Sequence, residues 1–185
     1  MPPRRTGAAN RGFTLIEISV VVLIIAIILS AAVVKLARIL PSSAADAAAR
    51  SLISSLDLAR TYAVSHGRRY EVWVDIDERG WAVMTPFDAE GKIAHKLEDR
   101  TTLGWQYLEK GLEFDSILDG KGQVFEKGKI KIAFDSSGAT GDLFIHFTHT
   151  AGEQYDLTVR VLGLNGLSSV FSGSIDPTMV SESDF

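Results

Sequence analysis

From Ile18 to Val34 the chain reads ISVVVLIIAIILSAAVV, a run without charge in which Ser19 and Ser30 are the polar residues. Counted back to Phe13 it is 22 residues long, and a helix needs about 20 apolar residues to cross a hydrocarbon core about 30 Å thick. The run therefore predicts a transmembrane helix over residues 13–34. A secretory signal peptide is the rival reading, because Arg4, Arg5 and Arg11 supply a positive n-region. Its apolar core would span about 7 to 15 residues, shorter than this one. The small-residue match at Ala45-Asp46-Ala47 lies well beyond the run. The basic residues ahead of the span favour a cytoplasmic amino terminus, although Lys35 and Arg38 just after it blur the asymmetry.

Immediately before the run stands Arg11-Gly12-Phe13-Thr14-Leu15-Ile16-Glu17. Glu17 places a carboxylate in the first turns of an apolar span, at a cost of about 2.5–3.5 kcal/mol at a bilayer centre and less near an end. An acid there points to function, and no Lys or Arg occurs between Phe13 and Val34 to compensate it. Gly12, lacking a side chain, permits close approach of a protease to the backbone.

The segment GFTLIE followed by a long apolar stretch resembles the class III signal of type IV pilins and type II secretion pseudopilins. That resemblance implies cleavage by a prepilin peptidase between Gly12 and Phe13, with N-methylation of Phe13 by the same enzyme. It also implies that Glu17 pairs with the terminal amine of Phe13 on a neighbouring subunit. Such a pair would select axial register, since buried ion pairs serve specificity better than stability. Removal of residues 1–12 takes away three arginines and leaves 16 basic against 23 acidic groups, a formal charge of −7 instead of −4.

After the span, Leu52, Leu56, Ala59 and Ala63 recur at helical spacing while Asp46, Arg50, Asp57 and Arg60 fall mostly elsewhere. This predicts an amphipathic helix with a buried stripe, stopped at Gly67. Pro41 is expected to kink or divide a helix running from Phe13 to His66. Beyond Gly67 the pattern changes to short alternating segments at Tyr70–Ile76, Trp81–Thr85, Lys129–Phe134, Leu143–His149 and Tyr155–Leu162. Turn chemistry at Asp77–Gly80, Asp135–Gly138 and Ala151–Glu153 separates several of them. An antiparallel β domain follows, with a loop-rich stretch expected from Gly91 to Gly128.

Leu58-Ala59-Arg60-Thr61-Tyr62-Ala63-Val64-Ser65-His66-Gly67 resembles the "LARxxAxxxG" helix end of the GspH/FimT group of minor pseudopilins and pilins. The resemblance implies an α+β, pilin-like fold: a long amino-terminal helix, transmembrane in its first half, packed on a carboxy-terminal antiparallel β domain. The expected organisation is a leader over 1–12, a transmembrane and polymerisation helix over 13–34, its periplasmic half over 35–67 and a globular domain over 68–185.

Chemistry finds little support. There is no cysteine, which excludes disulfides, zinc–thiolate sites and a cysteine nucleophile. His66, His95, His146 and His149 show no metal-binding helical spacing, and His146 and His149 on one strand point to opposite faces. Asp75 and Asp77 share a strand face, but calcium needs six to eight oxygens, so two solvated acids at a hairpin end are expected. Lys121-Gly122 and Lys127-Gly128 lack the phosphate-loop order, and Ser168-Ser169 lacks a nucleophile elbow.

These readings predict a non-enzymatic subunit that uses no cofactor and no metal. The resemblance implies a minor pseudopilin of a type II secretion system, anchored by one span in a bacterial inner membrane with its globular domain in the periplasm. Its partners would be other pseudopilins, the prepilin peptidase and the inner-membrane assembly platform. The alternative is a minor type IV pilin involved in pilus assembly or DNA uptake; the acidic balance and the Ser181–Phe185 tail argue against nucleic acid.

Overall fold

The computed structural model describes residues 15–150 and 155–177, with side chains throughout except over 30–42. Gly12 and Phe13 lie outside the described residues. The chain divides into two units, Met1–Ile39 and Leu40–Phe185.

Helix α1 runs Leu15–His66 and continues into both units. Pro41 forgoes one backbone hydrogen bond, yet the helix is not divided there. In the second unit α1 buries Ala45, Ala49, Leu52, Leu56, Ala59 and Ala63 completely. Their alternating spacing of four and three residues keeps one stripe on the core, and it extends the expected stripe two turns towards the amino terminus. The helix ends where Gly67 adopts φ +61°. Arg68 N–H donates to the Ala63 carbonyl at 3.0 Å and Gly67 N–H to that of Val64 at 3.3 Å, the paired bonds of a Schellman cap.

Among the described residues nine strands follow: β1 Tyr70–Asp75, β2 Gly80–Met84, β3 Thr102–Tyr107, β4 Leu112–Asp119, β5 Val124–Phe125, β6 Lys129–Phe134, β7 Leu143–His149, β8 Tyr155–Val161 and β9 Ser168–Ser172, with a short 3₁₀ turn at Leu97–Asp99. They build two antiparallel sheets, ordered β3-β2-β1-β6 and β5-β4-β7-β8-β9. The five expected strands correspond to β1, β2, β6, β7 and β8 within a residue at each end. The stretch from Gly91 to Gly128, expected to be loop-rich, instead supplies β3, β4 and β5. Two causes hid them. β3 is exposed at most positions and so lacks alternation, and a register shift between Phe114 and Ser116 breaks the alternation of β4.

Inward-facing Val72, Val74, Ile132 and Phe134 of the first sheet and Ile145, Phe147, Leu157 and Val159 of the second join the α1 stripe in one core. An aromatic series crosses between the sheets: Trp81 on β2 meets Phe114 on β4 edge-on at 6.3 Å, and Phe114 meets Phe147 on β7 at 5.0 Å. Contacts of this geometry add about 0.5–1.5 kcal/mol beyond area burial. One turn design recurs three times. In Asp88–Gly91, Asp119–Gly122 and Asp135–Gly138 the glycine takes φ +78°, +80° and +83°. Each aspartate Oδ1 accepts backbone N–H groups two and four residues on, at 2.8–3.1 Å. Aspartate is favoured here because its side chain can mimic a backbone acceptor.

Candidate assembly helix and its junction with the β domain

In the first unit, the large apolar side chains from Leu15 to Leu29 are exposed by 47–86%. Val20 through Ile25 are consecutive, so they occupy every direction around the axis. A helix apolar on all sides lies within a core, a bundle or a bilayer. Ser19 satisfies its hydroxyl internally by donating to the Leu15 carbonyl at 2.9 Å, which lowers the cost of placing it in an apolar setting. Glu17 lies in the first turn of α1 and is exposed, where a carboxylate is favoured by the helix dipole. Among the described residues no helix has an 18-residue stretch apolar enough to cross a membrane; the expected span reaches into positions 30–34, whose side chains are not described.

The second unit shows what the helix-end motif does. Ala59 and Ala63 are fully buried, so their small size lets the helix lie close to the sheets. Arg60 Nε donates to the Asn165 carbonyl at 2.6 Å, tying α1 to the loop between β8 and β9. At that loop Gly166 has φ +65°, and a Cβ there would strike the Gly138 carbonyl and the Arg60 side chain. Two turns earlier, Ser55 Oγ accepts from Trp81 Nε1 at 3.0 Å and donates to the Ser51 carbonyl at 3.1 Å. Ser51 Oγ in turn donates to Gln106 Oε1 at 2.6 Å. Sequence reasoning missed Ser55, Trp81 and Asn165 because their partners lie far along the chain.

Asp75, Asp77 and His146 hold structural places. Asp75, expected to be solvated, is 3% exposed; it meets Lys129 Nζ at 3.2 Å and accepts the Glu78 N–H. Asp77 accepts the Gly128 N–H at 3.0 Å. Both therefore close the β1–β2 hairpin and the approach to β6. His146 is 4% exposed, its Nδ1 within hydrogen-bond reach of Thr158 Oγ1 at 3.0 Å and of Ser174 Oγ at 3.3 Å. Its Nε2 stands 3.5 Å from Asp176 Oδ1. Burial lowers the His146 pKa below its ordinary value, and the nearby Asp176, Asp115 and Asp156 oppose that shift. Among the described residues no three His, Asp or Glu side chains are grouped to hold a metal ion.

Residues 7–33 match the family model of the prokaryotic N-terminal methylation motif, and residues 48–164 match that of the type II transport protein GspH. The first match covers Gly12, Phe13 and Glu17; the second runs from α1 into the β8–β9 loop. No curated protein matches the chain. Two solved structures of the minor pseudopilin EpsH from the type II secretion system of Vibrio cholerae are similar in fold. One is 21% identical over 72% of this chain and 98% of the other, with a TM-score of 0.53. The other is 20% identical over 69% and 95%, with a TM-score of 0.49.

Proposed function

Since the chain belongs to the type II transport protein GspH family, we propose that it is a minor pseudopilin, a structural subunit of a type II secretion system rather than an enzyme. In this reading a prepilin peptidase cuts between Gly12 and Phe13 and methylates the amine of Phe13. The helix over 13–34 then anchors the subunit in the inner membrane until it assembles into the periplasmic pseudopilus beside other pseudopilins. The β domain stays on the periplasmic side.

The observation that carries the reading is the all-round apolar exposure of α1 from Leu15 to Leu29. Burying a Val, Leu or Ile side chain stabilises by about 1.5–3 kcal/mol, so this segment gains from lipid before assembly and from neighbouring helices after it. Glu17 gives the exchange a register. A carboxylate costly in lipid becomes compensated when a neighbour presents its Phe13 amine at the matching height. Mass spectrometry of the protein, expressed with and without its peptidase, tests the first step: a methylated Phe13 terminus is expected only with the enzyme. Glu17→Ala is expected to be processed normally yet left out of the fibre, as measured by cross-linking to other pseudopilins. Normal incorporation of that variant would remove the pairing role.

A further inference from the structure

The outer face of the first sheet carries a groove. Trp73, Met84 and Leu97 form its apolar surface, and Arg100 with the Lys96–Glu98 ion pair at 3.5 Å completes the lining of this open depression of about 610 Å³. Lys131 Nζ lies 4.5 Å over the Trp73 ring and, among the described residues, meets no carboxylate. Arg100 spends Nη1 on Glu71 at 3.4 Å, and its Nε has no acceptor among the described residues. A guanidinium carries five N–H donors, so most of this one is uncommitted. The same face continues through Trp105, which stacks on Tyr107 at 6.4 Å and has Lys129 Nζ 5.6 Å from its centroid.

We propose that this groove docks an extended, acidic segment of a partner protein, seating an apolar side chain against Trp73, Met84 and Leu97 while Arg100 and Lys131 receive its carboxylates. Trp, Tyr, Met and Arg are the residue types enriched in interface cores, and here they share one face where Glu98 matches Lys96 and Glu71 takes one arm of Arg100, leaving Lys131 as the surplus positive charge. A single-stranded nucleic acid fits less well. Glu71, Asp75 and Glu98 are on or beside this face and would repel a continuous phosphate chain. A polypeptide places its acids only where cations await them.

The test uses the full chain in detergent micelles and three fluorescein-labelled probes: a peptide of alternating Asp and Phe, its counterpart with Lys for Asp, and an oligothymidylate. Fluorescence anisotropy is expected to show binding of the acidic peptide alone, with a change in tryptophan emission from Trp73. Lys131→Glu and Leu97→Asp change exposed side chains, so the fold should survive. Each is expected to weaken binding about tenfold, equivalent to about 1.4 kcal/mol, while Arg160→Glu, exposed on β8 of the second sheet, leaves it unchanged. Failure of the acidic peptide to bind, equal binding of the basic one, preference for the oligonucleotide, or affinity untouched by both groove variants overturns the proposal. Dimerisation abolished by Leu97→Asp, without peptide binding, would assign the groove to a second copy and overturn it too.

Discussion

Replacing Ser55 with Ala removes the hydrogen bond that pins α1 to the first sheet, together with the bond to the Ser51 carbonyl and a 3.5 Å contact from Gln106 Nε2. Trp81 is 2% exposed and Ser55 5%, so the indole N–H that now reaches Ser55 Oγ at 3.0 Å has no water to turn to. An unsatisfied buried donor costs about 1–3 kcal/mol. Against this, Ala is the better helix former, by a few tenths of a kcal/mol, up to about 0.5. The expected net loss is about 1–2 kcal/mol. For a chain of this size that lowers the thermal midpoint by about 2–8 °C, at roughly 2–4 °C per kcal/mol. Trp81→Phe also removes the donor but leaves Ser55 bonded to the Ser51 carbonyl, so its cost is mainly lost packing. Thermal unfolding of both single variants and the double variant, followed by near-ultraviolet circular dichroism, yields the coupling energy. A value near 1 kcal/mol is expected, because each change removes the same bond. If Ser55→Ala costs as much without Trp81 as with it, the bond contributes nothing of its own and the reasoning is wrong.

Gly67→Ala and Gly166→Ala separate conformational cost from steric cost. A Cβ at Gly67 meets nothing within 4 Å, so only the left-handed backbone is penalised, by about 1–2 kcal/mol. At Gly166 the added carbon also meets Arg60 Cδ at 2.9 Å and Phe134 at 3.0 Å; urea denaturation should show a clearly larger loss, and equal losses would contradict the packing described. His146 makes stability depend on pH. Its folded-state pKa lies below the unfolded value of about 6.5 because burial outweighs the pull of Asp176, Asp115 and Asp156. The unfolded chain therefore binds the proton first, so this contribution is whole above about pH 6.5 and falls as pH drops towards the folded-state pKa. Thermal midpoints across this range should decline on acidification in the native chain and less steeply in His146→Gln; parallel curves would exclude His146 as the source.

The long helix, its buried stripe, its glycine stop and five of the nine strands were legible because each depends on local period or local turn chemistry. Leu52, Leu56, Ala59 and Ala63 announce their face by spacing alone, and Gly67 by its freedom at positive φ. The Asp-x-x-Gly turn is legible at Asp77 and Asp135 and recurs at Asp119, a sign of a hairpin within 91–128. β9, like β3, is exposed along most of its length and offers no alternation to read. The site divides along the same line. Gly12, Phe13 and Glu17 fall within one short stretch that the N-terminal methylation model matches, a pattern legible without the fold.

What the amino-acid order determined alone is thus the apolar run with its acid, the helical stripe and the strands whose two faces differ in polarity; each is a property of neighbours along the backbone. The tertiary structure decided which distant groups meet: Ser55 with Trp81, Arg60 with the Asn165 carbonyl, Lys129 with Asp75, and Arg100 and Lys131 around the groove at Trp73. Those pairings depend on sheet order and register, which arise only when the core closes and every buried donor and charge must find its partner at once.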